Sequence, residues 1–135
     1  MNLARRLAHV FVGFVIALSL PVFGHKNHET PRCPDQPNPR SGPKKVAKYI
    51  RCVARHVPGF EAQKAIEVGS CESGLDPKAT NGPHRGIFQH NVRYWPGRAR
   101  DRGWAGHSAY EPAANIWVTA HMVREQGWSK HWTCA

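Results

Sequence analysis

The chain has 135 residues, room for one modest domain and not for two. Its 19 basic residues face 9 acidic ones, a formal charge of +10 at pH 7, and such a surface seeks polyanions. Its four cysteines include no CxxC pair and no HxxxH pair accompanies them, so the close ligand spacing of a structural zinc site is missing, and no metal or cofactor is expected.

The first stretch, "MNLARRLAHVFVGFVIALSLPVFGHK", sets Arg5 and Arg6 before an apolar run from about residue 7 to 20, followed by Pro21 and the small Gly24. That is the layout of a secretory signal over 1–24, cleaved after Gly24. The alternative, an uncleaved membrane anchor, needs a longer run, since a bilayer span takes roughly 20 apolar residues. Membrane contact is expected through this segment alone. Loss of Arg5 and Arg6 leaves 17 basic against 9 acidic residues, a formal charge of +8. Export would put Cys33, Cys52, Cys71 and Cys134 in an oxidising compartment, where two disulfides are the default and three pairings are open.

Residues 25–45, "HKNHETPRCPDQPNPRSGPKK", are proline-rich and almost without apolar residues, and read as a linker or extended arm that Cys33 would pin. The folded domain is placed at 46–135. Val46, Tyr49, Ile50, Val53 and Val57 recur at spacings of three and four, one face of an amphipathic helix ending before Pro58. A second helix is expected from about residue 60 to 73, stopped by Gly74, with Glu72 in its last turn. The turn residues of 76–86 predict a loop. "GIFQHNVRYW" then places Ile87, Phe88, Asn91, Val92 and Trp95 on one helical stripe, although its Ile, Phe and Val leave a strand open. Residues 96–110 read as irregular. A long last helix opens at Glu111 and Pro112 and stops at Gly127, its apolar side carried by Ala113, Ile116, Trp117, Ala120 and Val123. With no extended period-two alternation, the expectation is an all-α domain of four to five helices, stapled by disulfides. Trp95 and Trp104, flanked by Gly, Pro and Arg, are candidates for a sugar-facing cleft, where a flat ring covers the apolar face of a pyranose; core packing is the competing role.

Among nine acids, most have a plain local explanation: Glu61 and Glu111 precede helices and complement their dipoles, and Asp76 precedes Pro77 as a turn former. Glu72 does not, because a negative side chain at a helix C-terminus opposes the dipole. Held there among apolar neighbours beside Cys71, it would have a raised pKa, as a general acid near neutral pH requires. Neither a GxSxG elbow nor an HExxH motif occurs. His84 and His90 flank the expected cleft.

The ordered set "CESGLDPKATNG", "GIFQ", a Trp, "EPAANIWVTAHMV" and "GWSKHWTC" resembles the lysozyme-like lytic transglycosylase superfamily, and its layout is most similar to the small secreted branch that includes the resuscitation-promoting factors. The resemblance spans roughly residues 46 to 134. It implies a small lysozyme-like fold, with Glu72 as the catalytic acid and Ser73 helping to hold the site. Gly86, Ile87, Phe88 and Gln89 would line the glycan cleft, with Gln89 reaching substrate, and Asn115 and Ile116 would pack the last helix behind it. It also implies Cys71 paired with Cys134, which leaves Cys33 with Cys52. The larger members' "AYNAG" type motif is absent, so Tyr94 and Tyr110 are tyrosine candidates without a motif. Trp95, Phe88, Ser73 and Gln89 complete the expected substrate contacts.

The substrate so implied is the glycan strand of peptidoglycan, cut between N-acetylmuramic acid and N-acetylglucosamine. Glycosidases ordinarily use two carboxylates. Here no second acid rivals Glu72, which favours attack by the muramic acid C6 hydroxyl and a 1,6-anhydro product. Asp76, Asp101 or Glu111 supporting a water would instead make a lysozyme-type hydrolase. The expected enzyme is secreted and monomeric, has anionic wall polymers as further partners, and binds no nucleic acid. A reading from another class is a basic, disulfide-stapled wall-binding protein indifferent to Glu72.

Overall fold

The computed structural model describes residues 33–135. The expected signal segment and residues 25–32 of the arm lie outside that range. The elements run α1 (Pro43–Ala54), α2 (Ala62–Ser73), β1 (Thr80–Asn81), β2 (His84–Arg85), β3 (His90–Asn91), α3 (Trp95–Arg100) and α4 (Pro112–Gln126). Among the described residues no helix is long and apolar enough to cross a membrane.

The centre of the fold is α4, which is buried along Pro112 to Ala120 and again at Met122 and Val123. A helix apolar on every side must be wrapped, and α1 and α3 both pack against it. The α1 stripe does what its spacing predicts: Val46, Tyr49, Ile50 and Val53 are buried against α2 and α4, and the Trp117 indole N–H donates to the Tyr49 hydroxyl at 3.2 Å. Before α1, Cys33 and Pro37 are buried, so this part of the arm lies on the domain.

Two disulfides close the fold, Cys33–Cys52 across 19 residues and Cys71–Cys134 across 63, in the pairing the resemblance implies. Loop-closure arguments give each roughly 3–4 kcal/mol, chiefly by restricting the unfolded chain. They suit an oxidising, extracytoplasmic environment.

The architecture differs from all-α in one respect. Four helices are joined by a three-stranded antiparallel sheet in the order β1-β2-β3, with Thr80 opposite Arg85, Asn81 opposite His84, His84 opposite Asn91 and Arg85 opposite His90. The helix expected over 87–95 is absent. Gly86 (φ +75°) and Gln89 (φ +49°) take left-handed conformations on either side of Ile87 and Phe88, and the Gln89 N–H closes a turn on the Gly86 carbonyl at 3.1 Å. Both enclosed side chains are fully buried, which a helix stripe and this turn satisfy equally. Gly86 is required for a second reason: a Cβ there would lie 2.2 Å from the Ala109 carbonyl oxygen. A short helix, α3, takes up the first part of the stretch 96–110 that reads as irregular, with Pro96 in its first turn.

Candidate active site

Glu72 lies in the last turn of α2, and the helix stops where the sequence predicts. Gly74 turns left-handed at φ +66°, its N–H on the Ser70 carbonyl at 2.8 Å, and the Leu75 N–H reaches back to Gly69 at 3.2 Å. Leu75 is buried, and it fits because residue 69 has no side chain: a Cβ on Gly69 would meet the Leu75 Cδ2 at 2.7 Å, with Ile87 and Phe88 next at 3.3 Å. A glycine in mid-helix costs about 1 kcal/mol relative to alanine. Here it lets the chain after Gly74 fold back under the helix.

Two anchors hold the surroundings. The Ser73 hydroxyl is shared between the Ile87 carbonyl at 2.7 Å and the Gly69 carbonyl at 3.2 Å, which ties the end of α2 to the Gly86–Gln89 turn. The C-terminal tail is fixed to both, by Cys134 bonded to Cys71 and by the Trp132 indole N–H donating to the Phe88 carbonyl at 2.9 Å. The turn in turn hangs from α4: the Asn115 Oδ1 accepts from the Phe88 N–H at 3.1 Å and its Nδ2 donates to Ala109 at 2.8 Å. Asn115 is fully buried, so it replaces the backbone partners that a helix over this segment would have provided.

Partial burial pushes the Glu72 carboxyl above its ordinary range, and two groups oppose that shift, the Cys134 backbone amide and the charge on His84. The other acids considered for the site are held in local contacts. The Asp76 Oδ1 accepts from the Lys78 N–H at 2.9 Å, and Asp101 pairs with Arg100 at 3.1 Å. The Glu111 carboxylate takes a hydrogen bond from His107 at 2.7 Å and one from the Ser108 N–H at 2.9 Å, which hold its pKa down.

The expected substrate contacts divide. Tyr94 is 54% exposed, with the Arg93 and Arg98 guanidinium groups 5.9 and 5.6 Å from its ring centre. Tyr110 is half-buried, its hydroxyl 2.7 Å from the Thr80 hydroxyl, so it sits against the same small sheet as His84. Phe88 and Trp95 are corrections. Phe88 is fully buried in a cluster with Phe60, Trp128 and Trp132, and Trp95 is buried with its indole N–H on the His107 carbonyl at 2.7 Å. Neither offers a face to a sugar. Trp104 is half-buried, its ring centre 5.0 Å from that of His107. Ser73 spends its hydroxyl proton within the fold. The Gln89 amide nitrogen donates inward to Gly86 at 2.9 Å and Ala79 at 3.3 Å, while its Oε1 is buried without a protein partner.

His90 is also a structural group. Its Nε2 is 2.8 Å from the Thr119 hydroxyl, which itself donates to the Asn115 carbonyl, and its Nδ1 accepts from Arg98 at 3.1 Å. Burial, and then the charge of Arg98, pull its pKa down to about 3, so it stays neutral.

Two features near Glu72 escape sequence reasoning: the Cys134 amide, a backbone group with no side-chain signal, and the hairpin that carries Thr80 and His84. The Asn81–Gly82 dipeptide is the sign that could have found the hairpin. Comparison with family models, curated proteins and solved structures returns no match to this chain.

Proposed function

We propose that this protein is a secreted peptidoglycan-cleaving enzyme of the lytic transglycosylase type, on a lysozyme-like domain, with Glu72 as its general acid and then its base. The carrying observation is Glu72 itself, a half-buried carboxyl whose pKa is raised at the end of a helix while the other candidates Asp76, Asp101 and Glu111 are occupied. A carboxyl that keeps its proton toward neutral pH can deliver it to a glycosidic oxygen.

In this reading Glu72 protonates the oxygen leaving from C1 of N-acetylmuramic acid as the bond to N-acetylglucosamine breaks. The C6 hydroxyl of the same muramic acid bonds to C1, and its proton passes to the Glu72 carboxylate, so the acid is restored and no water is consumed. Water attack supported by a second carboxylate would require one of the occupied acids to leave its partners. Tyr94, Tyr110 and Trp104, which retain exposed surface, are aromatic groups available to a glycan.

The test is digestion of purified peptidoglycan by the disulfide-intact protein, with mass spectrometry of the fragments. The expected result is 1,6-anhydromuramoyl ends from the wild type and none from Glu72→Gln. Reducing ends would assign a lysozyme-type hydrolase, and an inert wild type, or an active Glu72→Gln, would overturn the enzyme reading and leave a wall-binding protein.

A further inference from the structure

The outer side of α1 carries a feature that Glu72 chemistry does not use. Lys44, Lys48, Arg51 and Arg55 recur at spacings of four, three and four along the helix and its C-cap, and all four are exposed. At 3.6 residues per turn they fall within one narrow strip about 16 Å long, opposite the buried face of Val46, Tyr49, Ile50 and Val53. Like charges three and four apart on a helix repel, so the strip works against the helix that carries it.

Nothing on α1 offsets this. The helix contains no acid, whereas α2 carries Glu67 and Glu72 and α4 carries Glu125. The Arg55 Nη1 donates to the Arg51 carbonyl, which keeps that guanidinium over the strip. Lys48 meets Asp35 at 3.1 Å, but the two side chains are 71% and 64% exposed, and a pair so open to solvent is readily exchanged for another anion.

The spacing and surroundings of the strip select its partner. Successive cations step by about 4.5–6 Å along the axis, the scale of charge repeats in a short polyol phosphodiester. A lipid surface would call for an apolar wedge beside the cations, and the exposed large hydrophobic residues among those described, Val92 and Tyr94, are not on α1. Single-stranded nucleic acid would call for exposed rings between the cations, and the one ring on α1, Tyr49, is buried beneath it. The two disulfides suit an extracytoplasmic compartment, and on the proposed reading of a wall enzyme the phosphodiesters met there are wall polymers.

We propose that the outer face of α1 binds a linear polyol-phosphate polymer of the cell wall, with Lys44, Lys48, Arg51 and Arg55 each facing a phosphodiester. The choice of partner rests on the proposed reading of a wall enzyme, while the cations of the strip are not among the groups that shift the Glu72 carboxyl.

The experiment measures binding of the full chain, disulfides intact, to labelled lipid-free poly(glycerol phosphate) by fluorescence anisotropy over a range of salt. The combined variant Lys44→Gln/Arg51→Gln/Arg55→Gln should weaken binding at least about tenfold and lower the slope of log K against log salt by about 2. A control of equal charge change, Lys78→Gln/Arg124→Gln/Lys130→Gln, should stay within about twofold of wild type. Circular dichroism checks that each variant is folded, and Glu72→Gln should bind as wild type whatever its activity. Equal losses in both triple variants would mean net charge alone and overturn the site. Stripe-dependent binding to phosphatidylglycerol vesicles, or to single-stranded DNA, with the polymer ignored would overturn it as well.

Discussion

Glu72 and Glu111 are both glutamates at helix ends, and their surroundings drive them apart. Glu111 precedes α4, where the helix dipole favours a negative charge, and its oxygens accept from His107 and from the Ser108 N–H, so its pKa is lowered. Glu72 ends α2, where the dipole disfavours a negative charge, and partial burial outweighs the Cys134 amide and His84, so its pKa is raised. A carboxylate satisfied by its neighbours is architecture. One held where its charge is costly keeps free energy available for proton transfer.

The sharpest way to break this contrast is to remove each carboxylate in turn. Glu72→Gln should lower wall-degrading turnover at least about 100-fold, the usual worth of a general acid, whereas Glu111→Gln should leave turnover within a few-fold. Comparable losses, measured as release of soluble fragments, would erase the distinction. Next in size are the groups that carry the Glu72 region. Asn115→Leu strands the buried Phe88 N–H and the Ala109 carbonyl and should cost about 2–5 kcal/mol in a denaturant titration. Cys71→Ser with Cys134→Ser should cost about 2–4 kcal/mol and free the tail whose amide faces Glu72.

Smaller effects come from pH, with opposite signs at the two glutamates. Glu111, with its folded-state pKa lowered, contributes stability above the ordinary carboxylate range that is lost as pH falls through its depressed value; being largely exposed, it is worth at most about 1 kcal/mol. Glu111→Gln should therefore lower the Tm at neutral pH and converge with wild type in acid. Glu72, with its pKa raised, is more favourable to folding when protonated, and that contribution is lost as pH rises through its elevated value. Glu72→Gln should raise the Tm at neutral pH, with the gain vanishing in acid. Smallest is His84→Gln: removing a positive neighbour lets Glu72 hold its proton to higher pH, so the basic limb of the activity profile should move upward.

What the sequence made legible follows from these same residues. Periodicity identified α1 and α4, and Gly74 and Gly127 marked where α2 and α4 stop. Glu72 is legible as an exception because a negative side chain in the last turn of α2 opposes the helix dipole. The Gly86–Gln89 turn is hidden because Ile87 and Phe88 are buried in either conformation, and because the Phe88 N–H is held by Asn115, 27 residues away in sequence. Strands of two residues are too short to alternate, so the sheet left no periodic trace. Trp95 shows a limit of composition: an aromatic residue in a Gly- and Arg-rich segment suits a sugar platform and a core equally, until a partner such as the His107 carbonyl decides.

One measurement reaches the centre of the contrast, a carbon-detected NMR titration of all glutamate carboxyls in the disulfide-intact protein. The predicted result is a Glu72 midpoint above that of a free glutamate and a Glu111 midpoint below it, in the same sample. A Glu72 midpoint at or below the free value would mean that the fold stabilises its charge, and would contradict its role as the proton donor.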